Sequence, residues 1–518
     1  MDHIVKFEVD KVTSNLDQSL AALSRLFAHL NQESIRYCHW KSNLRLIEAL
    51  QGETDLDLLV DRRHSGKFRQ ILLQHDIKPV QAAHGRRYPA LEDYLGFDVS
   101  SGKFFHIHVH YQLVLGEQYV KNYRIPIEDK VLDSAKFLCG VKVPAEEIEL
   151  IILCIRALLK YRDRDVIKDY FSIRYPGIPG HIRKELERLI DRTSIESVDE
   201  VLTNVFSFVP KEIILVFISM IENDPRNGRK FFILRKNLRI SLRAYQRKSR
   251  TVATWIYFRE LWQRRNSLFP TKNQGKMTFS NGGITMALVG VDGAGKSTLH
   301  QHLIAWLSWK MDVRGFYMGS KQPSRASDLL YLAFRMFRRG HRSMYQKFGV
   351  NFPIAVWLDS IRRNLLFAHY VSIGNDRFER YLAATSLSSE GSIVIYDRFP
   401  LEQVSTQPDY RLMDGPQSPI SGEKTSGMLN EALIAKEISY YPKMHLPDYL
   451  LVLDVDPEIS IQRKPDHKVE ILSAKNRAIK GLLNPEIDTQ NTELIYIDAN
   501  LPFQDVLRQL KSEVWEIL

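Results

Sequence analysis

The sequence predicts an α/β protein in three parts: an N-terminal α+β domain, a helical middle, and a C-terminal domain on a parallel sheet. Three observations predict it. The apolar run ITMALVG at residues 284–290 enters a glycine-rich turn and then a helix with Leu299, Leu303, Trp306 and Leu307 at helical spacing. Beyond that helix, strand-like and helix-like segments alternate, as parallel α/β sheets require. Near the other end, Asp55-Leu56-Asp57 and the run FFHIHVHYQL follow the two-residue period of strands.

Composition sets the bounds. The 518 residues are 44% hydrophobic and 26% charged, which excludes wholesale disorder and leaves room for two or three cores. Cys38, Cys139 and Cys154 form no C-x-x-C pair, so the sequence predicts a reduced, cytoplasmic setting without a disulfide framework or structural zinc. The start MDHIVKFEVDKV lacks the basic and apolar regions of a signal peptide, and runs such as 213–221 and 449–453 are too short to span a bilayer. Net charge is +11, concentrated at residues 226–276, where 15 Lys/Arg accompany one acid, Glu260. Such a segment can meet nucleic acid or a membrane surface. A solvated helical face is the favoured reading.

Taken in order, residues 14–32 predict an amphipathic helix, with Leu16, Leu20, Leu23, Leu26, Phe27 and Leu30 along one side. A strand at 35–40 follows, then Lys41-Ser42, Gly52 and the Asp55/Asp57 strand. Alternation puts both carboxylates on one face, where they can hold a divalent cation. In FFHIHVHYQL it puts His106, His108 and His110 on one face and Ile107, Val109 and Tyr111 on the other. The three histidines can join Asp55 and Asp57 around a metal, since imidazole suits transition metals, or form a polar sheet face, the reading preferred here.

Residues 144–164 predict a helix, with others around 181–191, 197–206, 211–222 and 228–265. Trp255, Tyr257, Phe258 and Trp262 in the last are read as core-facing anchors. The turn formers at 270–283 mark a linker. The predicted domains are therefore 1–145, 146–277 and 278–518.

In the C-terminal part, Gly290, Gly295, Lys296 and Ser297 fill the fixed positions of G-x-x-x-x-G-K-[ST]. Glycines let the backbone wrap a phosphate, and the N–H groups of the turn and helix start supply positive potential. Gly290, Gly293, Ala294, Gly295, Lys296, Ser297 and Thr298 are the expected ATP contacts, with Lys296 reaching the β/γ-phosphates and Ser297 holding Mg²⁺. Further strands are expected at 314–318, 392–396, 447–455 and 493–497, and a long helix at 354–387. Carboxyl ends of such strands line the ligand crevice, so Asp397, Arg398 and Asn500 are candidate site residues, Asp397 also at the metal. Arg463, Lys464 and Lys468 lie where a mobile lid could fold over phosphates.

Two resemblances sharpen these expectations. Lys41-Ser42, Gly52 and the Asp55/Asp57 strand resemble the minimal nucleotidyltransferase fold, which implies metal at Asp55 and Asp57. His108 stands where that family has its third acid, and Asp98 is the nearest substitute. GVDGAGKST, IYDRF, PDYLLVLDVDPE and RKPDHKVE resemble the motifs of thymidylate kinase, in the same order. That implies a P-loop nucleoside-monophosphate-kinase fold using ATP and Mg²⁺. It further implies catalytic roles for Lys296, Asp292, Asp397, Arg398 and Arg463, with Asp292 and the Asp397-Arg398 pair at the acceptor. The sequence departs from that family in three places: YMGSKQPS replaces its Glu-Pro-Gly, LLFAHYV offers Tyr370 and Val371 where it has Asp-Arg, and MDGPQSP has no counterpart. In that last region Arg411 or Asp414 can serve a different acceptor. The expected function is phosphoryl transfer from ATP to dTMP or another small acceptor, with a glycan-related one among the choices. A nucleotide-binding regulator and nucleotidyl transfer by the N-terminal domain are the alternatives, and a homodimer is open to the chain.

Overall fold

Leu23, Leu26, Phe27 and Leu30 recur at helical spacing and are all buried, so the first described helix, α1 (Ala21–Gln32), packs that side inward. The fold is that of a computed structural model, which describes residues 19–83, 87–88, 90–117, 120–160, 178–223, 228–265, 276–279, 282–349, 351–402, 404, 408–419, 428–463, 469–482 and 491–518. Expectations on Leu16, Arg226, most of the 270–283 linker, Lys464 and Lys468 lie outside the described residues. Chain contacts divide the protein into two units, Met1–Gly275 and Lys276–Leu518. The helical middle belongs to the first.

In the first unit, strands β1 (Tyr37–His39), β2 (Leu56–Val60), β3 (Lys78–Gln81), β4 (Leu91–Asp98) and β5 (Lys103–His110) lie in the order β1-β2-β5-β4-β3. β2 and β5 are parallel, and the other neighbours are antiparallel. One face of this sheet carries Leu56, Leu58, Ile107 and Val109, buried with α1 and α2 (Ser65–Gln74). The alternation thus sends these four residues to the core, leaving the histidines on the other face.

The helical part is organised around α3 (Glu146–Lys160), which is buried nearly all round. Helices α4 (Gly180–Arg192), α5 (Ile195–Asn204), α6 (Lys211–Asn223) and α7 (Gly228–Ser241) share its apolar core. The single helix expected at 228–265 is instead two. A 3₁₀ turn, Leu242–Tyr245, ends α7, and the chain restarts as α8 (Arg250–Arg265). Tyr123 bridges Gln246, and the Asn122 side chain bonds the backbone of Lys248, which fixes the break by contacts far away in sequence. The aromatic anchors of α8 are also corrected: Trp255, Phe258 and Trp262 are exposed. Part of the basic charge is neutralised locally, Arg235 and Arg239 both pairing with Glu117. The three cysteines are free thiols, and among the described residues no helix is long and apolar enough to cross a membrane.

The second unit holds a parallel sheet of β6 (Thr285–Gly290), β7 (Val313–Tyr317), β8 (Ile393–Asp397), β9 (Tyr449–Asp454) and β10 (Glu493–Asp498), ordered β7-β8-β6-β9-β10. The central strands read as near-continuous apolar runs because helices cover both faces of such sheets. Connecting helices include α9 (Lys296–Leu307), α10 (Arg325–Phe348), α11 (Pro353–Ser389), α12 (Pro457–Arg463), α13 (Val469–Gly481) and α14 (Phe503–Ile517). α11 starts with proline in its first turn, where the missing N–H costs nothing. The chain is therefore a mixed α/β protein with parallel and antiparallel sheets and a helical region.

Candidate functional site

β6 lies between β8 and β9, with Leu288 beside Asp397 and Gly290 beside Leu453. The connection from β6 runs to the β7 side and the one from β8 crosses over to β9 on the other, so the crevice past these carboxyl ends is where ligands of open α/β sheets sit. The turn after it needs its glycines. A Cβ on Gly290 would stand 3.0 Å from the Leu453 carbonyl oxygen, and Gly295, the N-cap of α9, has φ +87°. The first N–H groups of α9 consequently face the crevice without intrahelical acceptors.

Five side chains meet at this turn: Asp292, Lys296, Ser297, Asp397 and Arg398. Lys296 is buried, its Nζ donating to the carbonyls of Gly290 (2.7 Å) and Val291 (2.8 Å) and lying 4.0 Å from Asp292. Burial brings its ammonium down to about 8, with the Asp292 charge opposing. Ser297 Oγ donates to Asp397 Oδ2 at 2.9 Å, while Asp397 Oδ1 is buried without a hydrogen bond. Arg398, next in the chain, has φ +67°, a strained conformation for a non-glycine residue, and its Nη2 lies 3.3 Å from Asp292 Oδ1. Its other terminal nitrogen lies 3.6 Å from Asp414. Asp292 is thereby surrounded by cations: burial alone would raise its carboxyl, but Lys296, Lys475 and Arg398 outweigh that and hold it well below the usual range.

Lys475, on α13, is the partner that sequence reading missed. Its Nζ is 2.6 Å from Asp292 Oδ2. It stands in AKNR, at the end of the polar stretch expected to form a lid, but only the fold shows it reaching back across 183 residues. Arg463 and Asn500 stand one step further out. Arg463 Nη1 donates to the Ala499 carbonyl at 3.2 Å, and Asn500 Oδ1 accepts from the Asp456 N–H at 2.8 Å. α12 is fastened to the glycine turn by Ser460 Oγ, which donates to the Asp292 carbonyl. Gly293, Ala294 and Thr298 belong to the turn and the first helical turn.

An Asp-Arg pair does stand on the long helix α11, two turns past Tyr370, as Asp376-Arg377. Arg377 is buried and donates to the carbonyls of Asp414 (2.8 Å) and Gly415 (3.1 Å) and to the Tyr441 hydroxyl (2.7 Å). The MDGPQSP segment that had no counterpart is therefore anchored on this arginine. Asp414, at φ +63°, is turned toward Arg398. Arg411 instead bonds the carbonyls of Pro416 and Ser418 within the same loop.

In the first unit, Asp55 and Asp57 do not share one partner set. Asp57 Oδ1 is 2.6 Å from Lys41 Nζ and 3.4 Å from His110 Nε2, whereas Asp55 faces His106 and His108. Asp98 is elsewhere, capping the start of α1 through the Ala22 N–H and a turn through Ser100 and Ser101. The acid that does reach the histidines is Asp93, another residue not singled out from sequence. A hairpin folded at residues 99–102 pairs Asp98 with Lys103 and, five residues along each strand, Asp93 with His108.

Comparison with known proteins finds no matching family model. Over 236 residues the chain is 27% identical to the uncharacterized ATP-binding protein YghR of Escherichia coli K12, covering 44% of this chain and 86% of that protein. It is 26% identical over 237 residues to the uncharacterized ATP-binding protein YghS of the same strain, covering 43% and 89%.

Proposed function

We propose that the second unit is an ATP- and Mg²⁺-dependent phosphotransferase of thymidylate-kinase type, transferring the γ-phosphoryl group to dTMP or another small phosphate- or hydroxyl-bearing acceptor. The observation that carries this reading is the Ser297–Asp397 contact at the end of a glycine turn, with the second Asp397 oxygen buried and free of hydrogen bonds. The ATP-binding names of YghR and YghS support the donor half. Gly290, Gly293, Ala294, Gly295, Lys296, Ser297 and Thr298 would wrap the phosphates.

The oxygens of Ser297 and Asp397 suit a hard divalent cation. Mg²⁺ held there would supply charge neutralisation on the transferring phosphoryl group. Lys296 contributes a second positive charge from a buried position, where electrostatic stabilisation is worth more than in water. Arg398 is held between Asp292 and Asp414 just past the end of β8, and in this reading its guanidinium would meet the acceptor. Asp292 in this reading orients Arg398 and Lys475 toward the acceptor. Arg463 and Asn500, joined at the Ala499–Asn500 turn, would border the nucleotide.

The test is ATP consumption by the purified chain against a panel of acceptors including dTMP, beside Lys296→Ala. Acceptor-stimulated turnover lost in the variant is the expected result. Turnover that survives Lys296→Ala unchanged would overturn the reading, and tight ATP binding without any acceptor-stimulated turnover would make the domain a nucleotide-responsive regulator instead.

A further inference from the structure

The histidine face of the first unit is a separate gathering of ligating groups. His108 has an acid opposite it on both neighbouring strands, Asp57 on β2 and Asp93 on β4. His106 Nδ1 lies 2.9 Å from Asp55 Oδ1, and its Nε2 lies 3.3 Å from Asp93 Oδ1. His108 Nε2 lies 3.4 Å from Asp55 Oδ2, and its Nδ1 lies 2.6 Å from Asp93 Oδ1. Each ring thus presents one nitrogen to Asp55 and the other to Asp93, with the two rings edge to face at 4.2 Å.

Hydrogen bonding accounts for only part of this cluster, the His106 Nδ1–Asp55 Oδ1 contact. His106 is fully buried and Asp93 nearly so, yet His106 Nε2 and Asp93 Oδ1 make no hydrogen bond of acceptable geometry. Buried polar atoms left so are uncommon and call for a reason. One nitrogen of each ring and an Asp55 oxygen lie within 4.8 Å of one another. The Asp55 contacts are close to the roughly 3 Å that separates neighbouring ligands when bonds of about 2.1 Å radiate from one ion. Two imidazoles and one carboxylate form a donor set for divalent first-row transition metals rather than for Mg²⁺. Asp93 stands behind both rings, where a carboxylate fixes ring orientation and raises ligand basicity. Asp55 and His108 retain a third and a quarter of their side-chain exposure, so one side of the site stays open.

We propose that Asp55, His106 and His108 bind a divalent transition-metal ion, oriented by Asp93, at a site independent of the glycine turn. Asp57 is not a ligand, since Lys41 neutralises it. This divides the acid pair that strand alternation had placed together. The site owes nothing to the phosphotransferase reading, and it can stand or fall alone.

The test uses the full chain without a histidine tag, stripped with chelator and dialysed. Co²⁺ and Zn²⁺ are titrated by calorimetry, and Co²⁺ also by its visible absorption. One equivalent of Co²⁺, displaced by Zn²⁺ and unaffected by Ser297→Ala, is expected. His108→Ala and Asp55→Asn should each weaken binding at least tenfold, and Asp93→Asn should weaken it by about 10–100-fold with an altered Co²⁺ spectrum. Circular dichroism checks that the variants are folded. Should His108→Ala fail to fold, Asp55→Asn decides, because that side chain is a third exposed. Absence of saturable micromolar binding, or binding indifferent to Asp55→Asn, overturns the proposal and leaves a polar sheet face.

Discussion

Ser297 Oγ donates a 2.9 Å hydrogen bond to Asp397 Oδ2, tying the first turn of α9 to the carboxyl end of β8 across 100 residues of sequence. Parallel pairing brings the two within reach: Leu288 is level with Asp397, so the turn leaving β6 two residues later starts beside that carboxylate. Helix start, strand end and hydroxyl are thereby locked into one arrangement. The same register puts Arg398, with its strained φ of +67°, next to the turn.

Ser297→Ala and Asp397→Asn should act alike if the two oxygens hold one cation. Each is expected to lower Mg²⁺-dependent turnover about a hundredfold or more. Nucleotide affinity measured in chelator should change little. Comparing turnover across a Mg²⁺ titration checks this, and the double variant should be scarcely worse than either single one because the residues act as a unit.

Lys296 gives a proton-linkage prediction. Burial brings its ammonium down to about 8, so near that pH about half of the free protein carries the charge. A polyphosphate beside Nζ favours the charged form and raises the value again, so nucleotide binding at pH 8 should take up about half a proton. Calorimetry in buffers of different ionisation enthalpy reads this directly. Lys296→Arg keeps its charge at every accessible pH and should show no such uptake from this position.

How much of this was legible in the sequence differs by element, for physical reasons. The strands of the second unit are buried on both faces, so they read as apolar runs with sharp ends. Expected strands at 284–290, 392–396, 447–455 and 493–497 agree with β6, β8, β9 and β10 within two residues at either end. The glycine turn was equally plain, because its conformations exclude most side chains. Helix α10 was missed, since its amphipathic face lies among six Arg and Lys residues and almost none of it is buried. Lys475 and Asp93 were missed for another reason: each is an unremarkable charged residue on its own element, given meaning by a partner that only tertiary structure or strand register brings near. The break between α7 and α8 likewise depends on Asn122 and Tyr123, over a hundred residues earlier.

Lys475→Ala leaves Asp292 with Lys296 and Arg398 as its remaining cations. Arg398 is then free to be drawn further toward Asp292 and away from the mouth of the crevice. The expected outcome is a rise of about tenfold in acceptor KM with ATP KM changed by less than threefold. An equal loss on both substrates would show that Lys475 serves the turn as a whole and not its acceptor side.

Glu149 ties stability to pH in the first unit. It lies on the buried helix α3, where its Oε1 accepts the Asn43 N–H at 3.2 Å. Burial pushes its carboxyl up to about 7; the bond from Asn43 opposes this, and neighbouring Glu185 adds to it while Arg156 subtracts. A raised folded value means that the native state holds the proton more tightly than the unfolded chain. The associated stability is fully present below about 4.5 and is lost as pH rises toward 7, beyond which no more is lost. Glu149→Gln keeps an oxygen for Asn43 and removes the titration. It should be as stable as the parent at pH 4.5 and more stable at pH 8, by on the order of 2–3 kcal/mol. Glu185 shares the same direction and remains in the variant, so some slope should persist. Hydrogen exchange of the α3 amides at the two pH values isolates this unit from the other, and equal protection of parent and variant at pH 8 would show that Glu149 ionises without penalty.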